Sequence, residues 1–246
     1  MIFENSEKLN RYLSEDLGIK KVLLSFSLGK DSIGAWIEMS RYYDEIVPFY
    51  LYLVPGLEFV EESIAYYEKV FGTHIIQLPQ PSLYGMMSNL VFSSPPIGDL
   101  YLNSDIPSFD YEDLRMLLAE ALDWNPGSTW YATGVRANDS LNRWGAIKRF
   151  GAIYEKTHKF FPIYDWNKKR LYDEIKASGI KLPVDYRMFG RSFDGIDYRF
   201  LVKIKKYYPR DYEKILTLFP FADMEIYRRE KFGHENVQIS RFSPES

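Results

Sequence analysis

Val22-Leu23-Leu24-Ser25-Phe26-Ser27-Leu28-Gly29-Lys30-Asp31-Ser32-Ile33-Gly34-Ala35-Trp36-Ile37-Glu38-Met39 is the stretch from which the rest of the chain can be read. Its opening apolar run has the pattern of a buried strand, and Ile33, Trp36, Ile37 and Ser40 fall on one helical face. Between them, Ser25 to Ser32 make a tight polar turn. A helix start carries unpaired backbone N–H groups and the positive end of the helix dipole, which suits a phosphate chain. This turn adds three hydroxyls (Ser25, Ser27, Ser32), the Lys30 charge, and in Asp31 a carboxylate able to hold Mg²⁺ against phosphate oxygens. The plainer reading is a helix cap and a corner built from Ser, Gly and Asp.

Outward from this turn, strands and helices alternate. Leu9, Tyr12, Leu13 and Leu17 give a helix over 4–17 with Gly18 as its C-cap. After the first strand (21–26) and its helix comes a second strand, Ile46 to Leu53. A helix from Glu58 to Phe71 follows, ended by Gly72, and then a third strand, Thr73 to Leu78. This order predicts an α/β fold: a doubly wound, mostly parallel sheet with helices on both faces. Ligands of such sheets lie beyond the carboxyl ends of the strands, where the 25–32 turn sits. Residues 79–109 are rich in Pro and Ser and lose periodicity. They read as a long loop, either an insertion closing as a lid or a surface excursion. Helical spacing returns at Leu114, Leu117, Leu118, Ala121 and Leu122.

A fourth strand, Thr129 to Thr133, runs into Gly134-Val135-Arg136-Ala137-Asn138-Asp139-Ser140-Leu141-Asn142-Arg143. Gly134 permits close approach of backbone and ligand, and Asp139 or Ser140 caps a helix. Arg136 and Arg143 are then two forks suited to phosphate or sulfate-like oxygens; two surface arginines on an ordinary helix are the alternative. Residues 198–231 read as helices broken by Pro209 and Pro220 and form a C-terminal helical extension to a main domain spanning 1–197. The extension is rich in Lys and Arg interleaved with Tyr, a pattern open to nucleic-acid contact or to a solvated face. A polar tail follows Phe232.

Composition narrows the chemistry. Among 246 residues, 31 Lys+Arg nearly balance 34 Asp+Glu, so no global field argues for nucleic acid. Cysteine is absent, which removes disulfides, thiol catalysis, iron–sulfur clusters and cysteine-ligated zinc. His74, His158 and His234 are too scattered for a histidine metal site and read as structural or surface residues. No apolar stretch is long enough to span a membrane, and the start lacks a signal peptide's basic and apolar regions. A cytoplasmic protein without membrane partners is expected.

The 25–32 turn lacks the spacing of a Walker loop. It resembles the pyrophosphate-binding PP-loop, Ser-Gly-Gly-x-Asp-Ser, of the adenine-nucleotide alpha-hydrolase-like superfamily. Its wording is most similar to the phosphoadenosine-phosphosulfate reductase branch, with Leu28 in place of the usual first glycine. Gly134 to Arg143 resembles that family's Gly-x-Arg-x-x-Glu-Ser-x-x-Arg, with Asp139 in the glutamate's place. Phe161-Pro162-Ile163-Tyr164-Asp165-Trp166 is similar to its Pro-Ile-x-Asp-Trp, with Asp165 read as the cap of a following helix at 168–178. After Gly190 the family's paired cysteines are missing, so a thiol-dependent sulfonucleotide reduction is excluded.

The resemblance implies an ATP pyrophosphatase that cleaves ATP between its α and β phosphates, adenylates an acceptor and releases pyrophosphate. Its implied binding set is Ser25, Ser27, Leu28, Gly29, Lys30, Asp31, Ser32 and Gly134. The catalytic set is Lys30, Asp31, Arg136 and Arg143, with Asp31 holding Mg²⁺. The acceptor is a carboxylate, or an amide or carbonyl oxygen of a nucleobase. A non-catalytic nucleotide- or nucleic-acid-binding regulator is the other reading, and a retained but inactive enzyme the third. A homo-oligomer or a partner protein stays open.

Overall fold

The computed structural model describes residues 2–104, 108–191, 193 and 195–232. The polar tail after Phe232, His234, and Ser192 and Asp194 lie outside the described residues. In chain order the elements are α1 (Ser6–Arg11), extended by a π-turn over Tyr12–Asp16, then β1 (Lys21–Ser25), α2 (Lys30–Met39), β2 (Glu45–Tyr52), α3 (Glu58–Phe71) and β3 (Ile76–Pro79). Next come α4 (Pro81–Ser88), α5 (Pro95–Leu102), α6 (Tyr111–Ala121), β4 (Trp130–Thr133), α7 (Leu141–Phe150), β5 (Ile153–Tyr154) and β6 (Lys159–Phe160). Last are α8 (Lys168–Ser178), α9 (Val184–Phe189), α10 (Tyr198–Tyr207), α11 (Pro209–Leu218) and α12 (Asp223–Phe232).

Contacts group these elements into two units. The first holds residues 1–51, 68–78 and 110–182; the second holds 52–67, 79–109 and the chain from 183 onward. The helices after 198 therefore group with two earlier segments as well as with α9.

The six strands form one sheet in the order β3-β2-β1-β4-β6-β5. β1 pairs parallel with β2 on one side and with β4 on the other; β4 pairs parallel with β6, and only β5, at the edge, runs antiparallel. This is the mostly parallel α/β sheet that the alternation of strands and helices predicts. On one face Leu23, Val47, Phe49 and Tyr131 pack with Leu118 of α6. On the other, Phe160 meets Tyr43, just past α2, at 5.8 Å between ring centroids. Helices thus cover both faces. Helix α2 is buried nearly all round: Ile33, Ala35, Ile37, Glu38 and Met39 are enclosed, Trp36 stacks on Phe71 at 3.9 Å, and Ser40 is exposed instead of joining the expected face.

In the second unit Phe59 of α3 meets Phe193 at 5.6 Å and Tyr208 at 5.6 Å, while Phe189 and Phe193 pack edge-on against Phe200. The first turn of α3 is capped from far along the chain. Asp211, fully buried in α11, accepts the Glu58 and Phe59 N–H groups at 2.7 and 3.2 Å.

Two expectations are corrected, and two short strands are added to the sheet. The 79–109 segment contains α4 and α5, each with proline in its first turn, where a missing N–H costs nothing and a fixed φ favours the helix. The two-residue strands β5 and β6 carry no readable period. Helix α8 is capped by Asn167, whose Oδ1 accepts the Arg170 N–H at 2.8 Å, and not by Asp165. The basic helices are also largely neutralised: Lys205 pairs with Asp223, Lys214 with Asp211, and Arg228 and Arg229 with Glu225. Lys203 donates to the Met188 carbonyl.

Candidate functional site

The strand order reverses at β1, which has β2 on one side and β4 on the other. In an open parallel sheet the loops leaving two such strands diverge to opposite faces and open a crevice at their carboxyl ends. Here those loops are 26–29 and 134–140, the two segments singled out in the sequence.

The first loop is drawn tight. The Phe26 N–H donates to the Phe49 carbonyl at 2.8 Å, continuing the β1–β2 ladder. Leu28 then adopts φ +61°, a left-handed conformation that favours glycine, and its side chain is 1% exposed. The position that departs from the resembled motif is therefore one that needs positive φ, and a buried leucine occupies it. Gly29, in extended backbone at φ −76°, is the N-cap of α2 and supplies no side-chain acceptor to the helix's first N–H groups. Ser32 Oγ donates to the Gly29 carbonyl at 2.8 Å, and the Ser27 and Ser32 hydroxyls stand 3.5 Å apart. Ser27 is exposed, Ser32 buried, and Ser25, the last residue of β1, half-buried beside Thr133 in register. The turn thus presents a helix N-terminus free of a side-chain cap, the feature that binds anions.

The second loop reaches the first through Gly134. A Cβ there would lie 2.7 Å from the carbonyl carbon and oxygen of Asp31 and 2.9 Å from the Ser32 nitrogen. The close approach anticipated at Gly134 is thus to the backbone of α2 itself. Two residues on, Arg136 is buried, with its side chain 5% exposed. Its Nε lies 2.8 Å from Asp31 Oδ1 and its other arm 2.6 Å from Asp139 Oδ1. The Nε–H points past Asp31, so the first contact is an ion pair without a hydrogen bond. Arg136 also donates to the Trp166 carbonyl at 3.4 Å.

The remaining charges extend this pair into a row. Lys30 Nζ stands 2.7 Å from Asp31 Oδ2, and Arg143 Nη1 stands 2.9 Å from Asp139 Oδ2. Lys30, Asp31, Arg136, Asp139 and Arg143 alternate in sign and leave one positive charge in excess. Ser140 caps α7 by accepting the Arg143 N–H at 3.2 Å, which fixes the start of the helix carrying that arginine. All four expected catalytic side chains come together, but they are not equivalent. Arg143 is 51% exposed with its Nη1 on Asp139, whereas Arg136 is enclosed between Asp31 and Asp139. Asp139 joins the two arginines, a role beyond the cap read from the sequence. Its spacing, three residues after one arginine and four before the other, was the available signal.

The residues fit a Mg²⁺ that arrives with a nucleotide and do not form a cage for a resident ion. Among the described residues no cluster of three or more His, Cys, Asp or Glu side chains could hold a metal. Asp31 is the carboxylate at the turn itself, with Oδ2 against Lys30 and Oδ1 against Arg136. His74 pairs with Glu68 at 2.5 Å on the surface, and His158 turns the chain into β6 at φ +46°, its imidazole pushed toward the neutral form by burial.

No family model matches the chain, and no curated protein does. Solved structures similar to it include the NH3-dependent NAD synthetase of Campylobacter jejuni in complex with nitrate ion. That likeness is 16% identity over 96% of this chain and 97% of that one, with a TM-score of 0.44. The NMN synthetase of Francisella tularensis is similar at 14% identity over 85% and 93%, with a TM-score of 0.41. The glutamine-dependent NAD+ synthetase of Acinetobacter baumannii, in complex with ADP, is similar at 15% identity over 95% of this chain and 46% of that one, with a TM-score of 0.41. This chain thus spans just under half of that third protein.

Proposed function

We propose that the chain binds ATP with Mg²⁺ at the 25–32 turn, cleaves it between the α and β phosphates, and transfers AMP to an acceptor. The observation that carries this reading is the meeting of the β1 and β4 loops at the point where strand order reverses. There an uncapped helix start, Lys30 and Asp31 are joined through Arg136 and Asp139 to Arg143. In this reading the backbone N–H groups of Ser27 to Ser32 hold the β and γ phosphates, and Lys30 neutralises their charge. Asp31 exchanges its Lys30 partner for the nucleotide-borne ion, which spreads the charge building on the phosphates. Arg143 meets the α-phosphate, and Arg136 keeps the two carboxylates in register. Fixed positive groups aimed at charge that develops in the transition state are the main source of rate in phosphoryl chemistry.

The test is Mg²⁺-dependent ATP–pyrophosphate exchange in the parent and in Asp31→Asn, with carboxylates and nucleosides added one class at a time to accept the AMP. The amide keeps the shape, and Arg136 keeps Asp139, so the fold is expected to survive. Exchange should fall by about a hundredfold or more, the scale of losing a preorganised group. Parent-like exchange in a folded variant would show that Asp31 has no part in the reaction.

A second reading has its own support. Both Asp31 oxygens already face cations, Lys30 and Arg136, which suits a module that binds a nucleotide anion without metal or turnover. Tight calorimetric binding of ATP or phosphoadenosine phosphosulfate, unchanged by removal of Mg²⁺ and accompanied by no exchange, would favour it.

A further inference from the structure

Helix α7 buries one residue of its ten, Ile147. Leu141 is 87% exposed, Trp144 50% and Phe150 55%, and Arg143, Lys148 and Arg149 are exposed with them. An apolar side chain left singly on a surface needs no explanation, but three on one short helix do.

The charges of this helix are as unusual as its rings. Leu141 to Phe150 contains no acidic residue. Arg143 has a carboxylate partner in Asp139. Among the described residues Lys148 and Arg149 have none, and they lie over the Trp144 and Phe150 rings at 4.7 and 5.0 Å. The basic helices of the C-terminal extension differ on this point, since their cations pair with Asp and Glu. The chain as a whole carries a net charge of −3, so the attraction α7 offers an anion is local.

The order of these side chains around the helix selects the anion. At 3.6 residues per turn, Trp144 and Phe150 stand about 120° apart, one on each flank of Ile147. From Trp144 the exposed arc runs through Lys148, Leu141, Arg149, Phe150 and Arg143, so apolar and cationic side chains alternate. A membrane-surface helix gathers its apolar residues on one face and its cations on the other. A helical protein partner likewise needs one apolar stripe. An alternating arc suits a chain that itself alternates flat rings with anions, which is the chemistry of an unpaired nucleic-acid strand. A duplex keeps its ring faces inside the stack, and an acidic peptide has charges without rings.

We infer that α7 is a docking ridge for single-stranded nucleic acid, with bases stacked on Trp144 and Phe150 and phosphates against Lys148 and Arg149. None of these contacts reads the sugar, so DNA and RNA strands should bind alike. The ridge carries Arg143, the last charge of the row that starts at Lys30, and a bound strand therefore runs beside the nucleotide turn. The surface stands whether or not the adenylation proposed above does.

The experiment is fluorescence anisotropy with labelled oligothymidylate and oligouridylate of about twelve nucleotides, within the usual site sizes. The same strands paired with their complements, polyglutamate and phosphatidylserine vesicles serve as competitors. Both single strands should bind, and none of the three competitors should displace them at equal charge. Trp144→Ala and Phe150→Ala should each weaken binding about tenfold, the scale of one stacked base, while Trp144→Phe keeps most of it. Lys148→Gln with Arg149→Gln should reduce the slope of log affinity on log salt by about 1.4, or 0.7 for each cation. The assignment is overturned if duplex, polyglutamate or vesicles compete as well as the single strands, or if neither strand binds. Parent-like affinity in both ring variants overturns it too, because binding is then by charge alone. The comparison of probes on the parent decides the matter even where a variant does not fold. Strand binding by a chain without ATP–pyrophosphate exchange would uphold the ridge and count only against the adenylation.

Discussion

Leu28 allows a test of the phosphate-binding turn at the level of backbone geometry. It stands at φ +61° with its side chain 1% exposed, so two opposed terms meet at one residue. A non-glycine residue in the left-handed region costs about 1–2 kcal/mol, whereas deleting a buried leucine side chain costs about 2–5 kcal/mol. Leu28→Ala loses the packing and keeps the strain. Leu28→Gly loses the same packing and one methyl more, but releases the strain. In ordinary backbone glycine is less stable than alanine by about 0.5–1 kcal/mol. Here the order should invert, with Leu28→Ala less stable than the parent by about 2–5 kcal/mol and Leu28→Gly, about 1 kcal/mol better than alanine, less stable than the parent by about 1–4 kcal/mol. Urea denaturation of the three proteins at equal m-value reads the difference directly. If glycine is less stable than alanine at this position, the left-handed turn is not what the folded protein adopts, and the anion-binding geometry argued from it fails too.

Two further outcomes are expected. Gly134→Ala would set a methyl 2.7 Å from the Asp31 backbone, which only a shift of β4 or α2 can relieve; a stability loss of about 1–3 kcal/mol and weaker nucleotide binding should follow, and parent-like melting and affinity would show that the two loops do not meet as described. Asp185 is enclosed in the second unit, and burial pushes its carboxyl up to about 6 against the N–H groups of Phe193 and Tyr186. Its folded-state value thus lies above the unfolded one, and the folded protein holds a proton that the unfolded chain releases. The stability tied to that proton is present below pH about 4 and is lost as pH rises through about 6, by up to about 3 kcal/mol. Asp185→Asn removes the titration, so the parent-minus-variant difference in urea midpoint should change between pH 4 and 7, and a flat difference would refute the assignment.

The parts of the fold that could be read in the sequence were those with local causes. Val22-Leu23-Leu24 followed by a polar turn made β1 and its loop visible, and the spacing from Glu58 to Phe71 gave α3 with its observed bounds. The prolines of 79–109 misled because composition does not distinguish a proline that starts a helix from one that breaks it. Pro81, Pro95 and Pro96 all stand in first turns. β5 and β6 escaped because two residues carry no period. At the site, residue types and spacing brought Lys30, Asp31, Arg136 and Arg143 forward together. That Arg136 is enclosed while Arg143 is exposed depends on how closely β4 approaches α2, a tertiary distance set by one glycine.

The cap on α3 has a consequence for how the chain is made. Asp211 lies 153 residues beyond Glu58, yet its carboxylate satisfies the first N–H groups of α3. Until Asp211 has left the ribosome, that helix start has no such acceptor and its first turn is held by water. α3 and α11 therefore complete each other, and a chain that stops short of Asp211 carries α3 without this cap on its first turn. Protease sensitivity near Glu58 would then serve as a clock for the arrival of α11.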